Sequence, residues 1–207
     1  MQSKKKSTKE RILEEALKLF AQNGYLGTSM NDIAREIGVT KAALYKHYTS
    51  KQEILDSIIQ KMNEMDQERT RTYAMPEGDM EKVVEDYKNI DTEKIKQFTR
   101  VQFLHWTEEK FSSDFRKMLT LEQYRDVEMK QLYQKYLAKE PFFYMEHIFS
   151  GFIQNAEDVR QLALEFYGPI FLLYSIYDGG EEKENVLEML DQHIERFVNK
   201  IQKMENQ

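Results

Sequence analysis

The 207-residue chain contains no cysteine and only three prolines. Lack of cysteine excludes disulfides, thiolate metal sites and thiol nucleophiles, and is compatible with a reducing cytoplasm. Three prolines and eight glycines among 32% charged residues leave little to interrupt helices. Long apolar runs are missing as well. The longest, near Pro169 to Tyr177, is too short to span a bilayer. The start, Met1 to Ser7, is basic, but no apolar stretch follows it as a secretory signal would require. No stretch has a strand period, and nothing repeats internally.

Sequence signatures of catalysis are also scarce. A di-iron helical bundle needs Glu-x-x-His pairs. The residues three before His47, His105, His147 and His193 are Leu44, Gln102, Tyr144 and Leu190, so that reading falls. There is no His-Glu-x-x-His, phosphate loop, Gly-x-Gly-x-x-Gly turn or nucleophile elbow. No metal site, cofactor or enzymatic activity is expected.

The net charge of −6 hides an asymmetry. Residues 1–51 hold ten Lys/Arg and five Asp/Glu, a balance of +5; the remainder stands at −11. An acidic protein with a basic N-terminal quarter suggests that this quarter meets a polyanion. Lys4, Lys5 and Lys6 form an arm of the kind that touches phosphates.

The most informative stretch is Thr28 to Lys51, TSMNDIAREIGVTKAALYKHYTSK. Ser29 and Asp32 form a capping arrangement ahead of an apolar face of Ile33, Ala34 and Ile37. Gly38 suits a C-terminal stop. Thr40 then caps a second helix, expected over Lys41 to Tyr48, and Ser50 with Glu53 opens a third. Two short helices joined by a glycine-containing turn make a helix-turn-helix, whose second helix enters the DNA major groove. Thr40, Lys41 and Ala42 would then face base edges, with a hydroxyl, a long donor and a methyl. Tyr45 shares their face. Thr8 is placed to cap a preceding helix, Lys9 to Asn23, with stripe residues Ile12, Leu13, Ala16, Leu17 and Phe20.

From Lys9 to Ile59 this order of residues resembles the N-terminal domain of TetR/AcrR-type transcriptional regulators. The shared positions are Gly24-Tyr25, Thr28-Ser29, Ile33-Ala34, Gly38-Val39 and Leu44-Tyr45-x-His47-Tyr48. Tyr48 stands where phenylalanine is usual, and Lys46 sits at a variable place. The resemblance implies phosphate or groove contacts at Ser29, Thr40, Tyr45, His47 and Lys51. With Lys41, Ala42, Lys46 and Tyr48 these form the candidate DNA-binding set. It also implies a homodimer on a palindromic operator of double-stranded DNA, repression, and release by a small-molecule effector.

The expected architecture is all-α: a helix-turn-helix domain over 1–51, joined by a long helix to an effector-binding and dimerisation domain over 52–207. That long helix should run from about Lys51 toward Arg71. Helices are expected over Met80 to Ile90, Thr92 to Thr107, Ser113 to Tyr124, Val127 to Leu137, Pro141 to about Ile153, Asn155 to Tyr177, and Glu182 to Met204. Gln102, His105, Trp106, Tyr124, Phe143, His147 and Tyr167 offer aromatic walls with polar tips for an apolar or aromatic effector. Leu162, Phe166, Ile170, Leu187, Leu190, Ile194, Phe197 and Ile201 are the apolar supply for a dimer made from the last two helices. The competing reading keeps the DNA contact but gives the second region a protein partner.

Overall fold

A computed structural model describes residues 6–153, 155–180 and 182–205, with residues 204 and 205 described by backbone alone. Eleven helices and no strand lie among them. They are α1 (Thr8–Asn23), α2 (Met30–Ile37), α3 (Lys41–Tyr45), α4 (Lys51–Thr72), α5 (Met80–Lys88), α6 (Thr92–Thr107), α7 (Lys110–Glu122), α8 (Val127–Leu137), α9 (Lys139–Ser150), α10 (Ala156–Gly179) and α11 (Lys183–Glu205). The all-α expectation holds. No helix among the described residues is long and apolar enough to cross a membrane.

The chain divides into two compact units. The first comprises residues 1–68 with 110–133, the second 69–109 with 134–207. This division by packing falls inside α4 and α8, not after Lys51 where charge and motif suggest a boundary.

In the first unit α1 packs on α2 and α7, and α2 on α3. Their contributions to its core are Ile12, Ala16, Leu17 and Phe20 of α1, Ile33 of α2, and Leu44 of α3. Ile54, Leu55, Ile58 and Met62 of α4, with Phe115, Met118 and Leu119 of α7, complete it. The three- and four-residue spacing within each helix puts these side chains on one face. Ser7, rather than Thr8, caps α1: its hydroxyl accepts from the Glu10 N–H at 3.2 Å, and the Glu10 carboxylate accepts from the Ser7 N–H at 2.7 Å. Ser50 caps α4 in turn, accepting from the Glu53 N–H at 3.1 Å.

In the second unit α10 packs on α6, α9 and α11, and α9 also packs on α5. Its interior is aromatic. Phe103 stacks on Tyr174 at 5.1 Å and meets Tyr177 edge-on, while Phe166 lies 4.8 Å from Phe197 and 6.0 Å from Phe149. Such pairs add about 0.5–1.5 kcal/mol each beyond the area they bury. Asn155 caps α10 and Asp91 caps α6 through side-chain oxygens.

Candidate nucleic-acid interface

Local chemistry sets each joint of the helix-turn-helix. The Ser29 hydroxyl accepts from the Asp32 N–H at 3.2 Å and donates to Asp32 Oδ2 at 2.6 Å; the same oxygen accepts from the Ser29 N–H at 3.0 Å. These bonds hold the Asp32 carboxyl below its usual pKa, the Ser29 hydroxyl contributing most. Asp32 therefore stays charged at the positive end of α2, where a carboxylate is favoured. At the other end Gly38 is left-handed, with φ 75 and ψ 33. Its N–H bonds the Arg35 carbonyl and that of Val39 bonds the Ala34 carbonyl, the paired bonds of a Schellman stop. Thr40 then accepts from the Ala43 N–H at 3.2 Å and starts α3.

One turn decides what α3 presents. Leu44 and Tyr48 are buried, which rotates Thr40, Lys41, Ala42, Tyr45 and Lys46 outward. Lys41 Nζ lies 5.8 Å from the centre of the Tyr45 ring, one helical turn away. The face offers two ammonium groups, a hydroxyl, a phenol and a methyl, and α3 itself holds no acidic residue. The helix is shorter than its pattern suggests and stops at Tyr45. The N–H groups of His47 and Tyr48 both turn back to the Leu44 carbonyl, tightening the last turn and carrying the Tyr48 ring into the core.

The structure brings Ser29, Thr40, Lys41, Ala42, Tyr45 and Lys46 to the surface, with His47 half-buried beside them. Two candidates are placed otherwise. Tyr48 is 3% exposed, and its phenol bonds Ser57. Lys51 turns inward: its ammonium donates to the Tyr25 carbonyl at 2.6 Å and the Thr28 carbonyl at 2.9 Å, and lies 4.3 Å from the Tyr25 ring centre. Burial lowers its pKa, and the charge of Glu122 opposes that shift. Both residues are better explained as parts of the small domain's framework than as groove contacts. Of the basic arm, Lys4 and Lys5 lie outside the described residues, whereas Lys6 pairs with Glu14 at 2.7 Å.

The seven effector candidates do not converge. Tyr124 is 90% exposed in the turn after α7 and belongs to the first unit, so it lines no interior of the second. Phe143 and His147 are exposed on α9. Tyr167 is half-buried and donates to the Leu137 carbonyl at 2.8 Å. Gln102, His105 and Trp106 remain inside, adjacent on α6. Gln102 Oε1 is buried with no hydrogen-bond partner among the described residues. His105 Nδ1–H donates to Glu109 Oε2 at 2.6 Å. Burial, then the charge of Arg69, brings the His105 pKa down to about 4. Sequence reasoning missed Arg69, a buried cation near the end of α4, and the mutually hydrogen-bonded phenols of Tyr87 and Tyr144. Neither follows from periodicity: Arg69 and Tyr87 sit in polar runs, and Tyr144 is one aromatic among several in the apolar run 141–145.

The dimer stripe also needs correction. Leu162, Phe166, Ile170, Leu190, Ile194 and Phe197 are buried within the single chain, and Leu187 and Ile201 are partly covered. They fill the protomer core. The opposite side of α10 leaves Leu164, Phe171, Leu172 and Ile176 exposed, with Met189 on α11. A regular seam cannot tell these two sides apart, since α10 is apolar on both.

Residues 12–58 match the family described as bacterial regulatory proteins, tetR family. Over this N-terminal segment the chain is similar to TetR-family regulators. The TetR-type segment is 44% identical over 46 residues to IcaR of Staphylococcus epidermidis, a negative transcriptional regulator of the biofilm operon icaADBC. That match covers 22% of this chain and 25% of IcaR, so the chain spans about a quarter of that relative's length. Beyond the TetR-type domain the likeness is one of fold. A TetR-family transcriptional regulator from Bordetella parapertussis superposes with a TM-score of 0.62 at 20% identity, over 93% of this chain and 95% of that one. AibR, solved with isovaleryl coenzyme A and operator DNA, does so with 0.60 at 23%, over 89% and 96%. The curated relatives are transcriptional regulators rather than enzymes.

Proposed function

We propose that this protein is a cytoplasmic transcriptional repressor that binds a palindromic operator as a homodimer and lets go when a small apolar molecule enters its second unit. The observation that carries the reading is the outward face of α3: Thr40, Lys41, Ala42, Tyr45 and Lys46, anchored by buried Leu44 inside a TetR-type domain. Lys41 has the reach to donate to guanine O6 and N7, and Ala42 suits a thymine methyl. Ser29, at the α2 N-terminus, is suited to a phosphate. Repression is the direction of the IcaR relatives.

One such helix reads a few base pairs, so two copies about 34–36 Å apart are required for affinity. The exposed residues Leu164, Phe171, Leu172, Ile176 and Met189 supply an apolar face for pairing. The effector reading is supported by the aromatic interior around Phe103, Trp106 and Tyr174, by the buried Gln102 carbonyl oxygen, which has no hydrogen-bond partner among the described residues, and by AibR's complex with isovaleryl coenzyme A. Such a ligand must favour the released state over the DNA-bound state.

Selection of bound duplexes from a random pool tests the proposal. Enrichment of an inverted repeat is expected, with light scattering reporting a dimer. Lys41→Ala should weaken binding to that repeat by about 1–3 kcal/mol, the cost of one base contact. A monomer, or a pool without an inverted repeat, would overturn the reading.

A further inference from the structure

Glu122 is the last residue of α7 and is fully buried. Neither of its carboxylate oxygens has a hydrogen-bond partner among the described residues. Two separate rules make this a poor place for a carboxylate. A buried charge without hydrogen bonds costs several kcal/mol unless opposite charge compensates it. The C-terminal end of a helix also carries negative partial charge. Sites that break local rules in this way are often functional ones.

The surroundings show what the charge acts on. Arg125 Nη1 is 3.9 Å away, on a mostly solvent-facing side chain. A second cation is Lys51, whose ammonium feels the Glu122 charge. Between Lys51 and Glu122 runs the turn that joins α1 to α2. Gly24 opens that turn with φ 82 and ψ 152, a conformation essentially confined to glycine. A Cβ at Gly24 would lie 2.0 Å from Glu122 Oε1, so the carboxylate rests against a bare α-carbon. Lys51 grips the same turn through the Tyr25 and Thr28 carbonyls. The Thr28 hydroxyl closes it by donating to the Gly24 carbonyl at 2.9 Å. The next residue is Ser29, the cap of α2.

We infer that Glu122 is a positioning residue for DNA binding: with Lys51 it clamps the α1–α2 turn and thereby sets where α2 begins. The inference rests on the proposed operator binding for its consequence, but the clamp itself is a property of the free protein. It assigns Lys51 to the turn rather than to a phosphate. The two roles predict opposite signs. If Lys51 served a phosphate, Glu122 would compete for it, and neutralising Glu122 would strengthen DNA binding.

The test uses the full chain with Glu122→Gln, which keeps shape and removes charge, Lys51→Met, and the double variant. In the absence of DNA, hydrogen exchange at the amides of residues 25–32 should speed up at least fivefold in each single variant. In folded dimers, operator affinity should fall about tenfold in each, with an unchanged salt slope, and the double variant should be no worse than either single one. Unchanged exchange at the turn would overturn the clamp, whether or not the wild type binds an operator. A gain of affinity in Glu122→Gln, or a salt slope reduced by about 0.9 in Lys51→Met, would overturn it in favour of a phosphate role. A wild type that retards no duplex refutes operator binding alone, and the exchange measurement still decides the clamp.

Discussion

The helix-turn-helix and the α10–α11 pair solve the same problem by different means. Each buries one side of two helices and leaves the other uncovered. In α2 and α3 the helices are short, and their ends are set by Ser29, Asp32, Gly38 and Thr40, all within a few residues. Only one side is apolar, so the outward face follows. In α10 both sides are apolar: Leu162, Phe166, Ile170 and Leu173 point inward, Leu164, Phe171 and Leu172 outward. Nothing local chooses between them. Short elements with strong end signals declare their exposed face; long apolar ones leave the choice to packing.

The largest effects belong to the inward residues. Leu44→Ala and Ile194→Ala each remove a fully enclosed side chain and should lower unfolding free energy by about 2–5 kcal/mol in denaturant titrations. Leu172→Ala, on the outward side, should leave protomer stability nearly unchanged and raise the dissociation constant of the proposed dimer in sedimentation. An equal loss of stability from Leu172→Ala would erase the distinction between the two sides.

A smaller effect separates the units by pH. The folded-state pKa of His105, about 4, lies below its ordinary value of 6.5. Above pH 6.5 the imidazole is neutral in both folded and unfolded chains, and the stability it permits is fully present. As pH falls toward 4 the unfolded chain takes up the proton more readily, and about 3 kcal/mol is lost across that window. His105→Gln should flatten this slope in thermal melts of the second unit. A melt that keeps the slope would show that His105 is not the group responsible.

The smallest effect compares two helix ends. Both α2 and α4 finish with the Schellman pair of bonds: Gly38 to Arg35 and Val39 to Ala34 in one, Ala74 to Arg71 and Met75 to Thr70 in the other. Gly38 occupies the left-handed position at φ 75, and Ala74 does so at φ 46. A left-handed alanine costs about 1–2 kcal/mol, which glycine avoids at some expense in unfolded-state entropy. Gly38→Ala should therefore destabilise by about 1 kcal/mol, and Ala74→Gly should stabilise by somewhat less. If both substitutions destabilise equally, the two ends are not equivalent.

Gly38 marks its helix end because glycine is favoured there, whereas Ala74 carries no such mark, and the sequence points instead to Pro76-Glu77-Gly78 a few residues on. The outward side of α3, proposed to face DNA, is readable for the same reason as the Gly38 stop: cap, buried leucine and outward lysine lie within one turn of each other. Lys51 and Tyr48 are not. Both sit in the motif's expected positions, but a carbonyl pair 23 and 26 residues upstream claims the Lys51 ammonium, and the core claims the Tyr48 ring. The effector candidates are dispersed, since helical periodicity says which residues share a face but not which face of a many-helix unit is inside.

By itself the sequence determined the helical class, the caps and stops of the helix-turn-helix, and the basic character of its end of the chain. These depend on backbone groups bonding side chains three or four residues away and on a simple count of charge. Tertiary structure alone decided that Glu122 meets Gly24, that Lys51 turns inward, and which flank of α10 is left uncovered. Those outcomes depend on helices far apart in the chain competing for the same space and the same charges, and no local rule contains that competition.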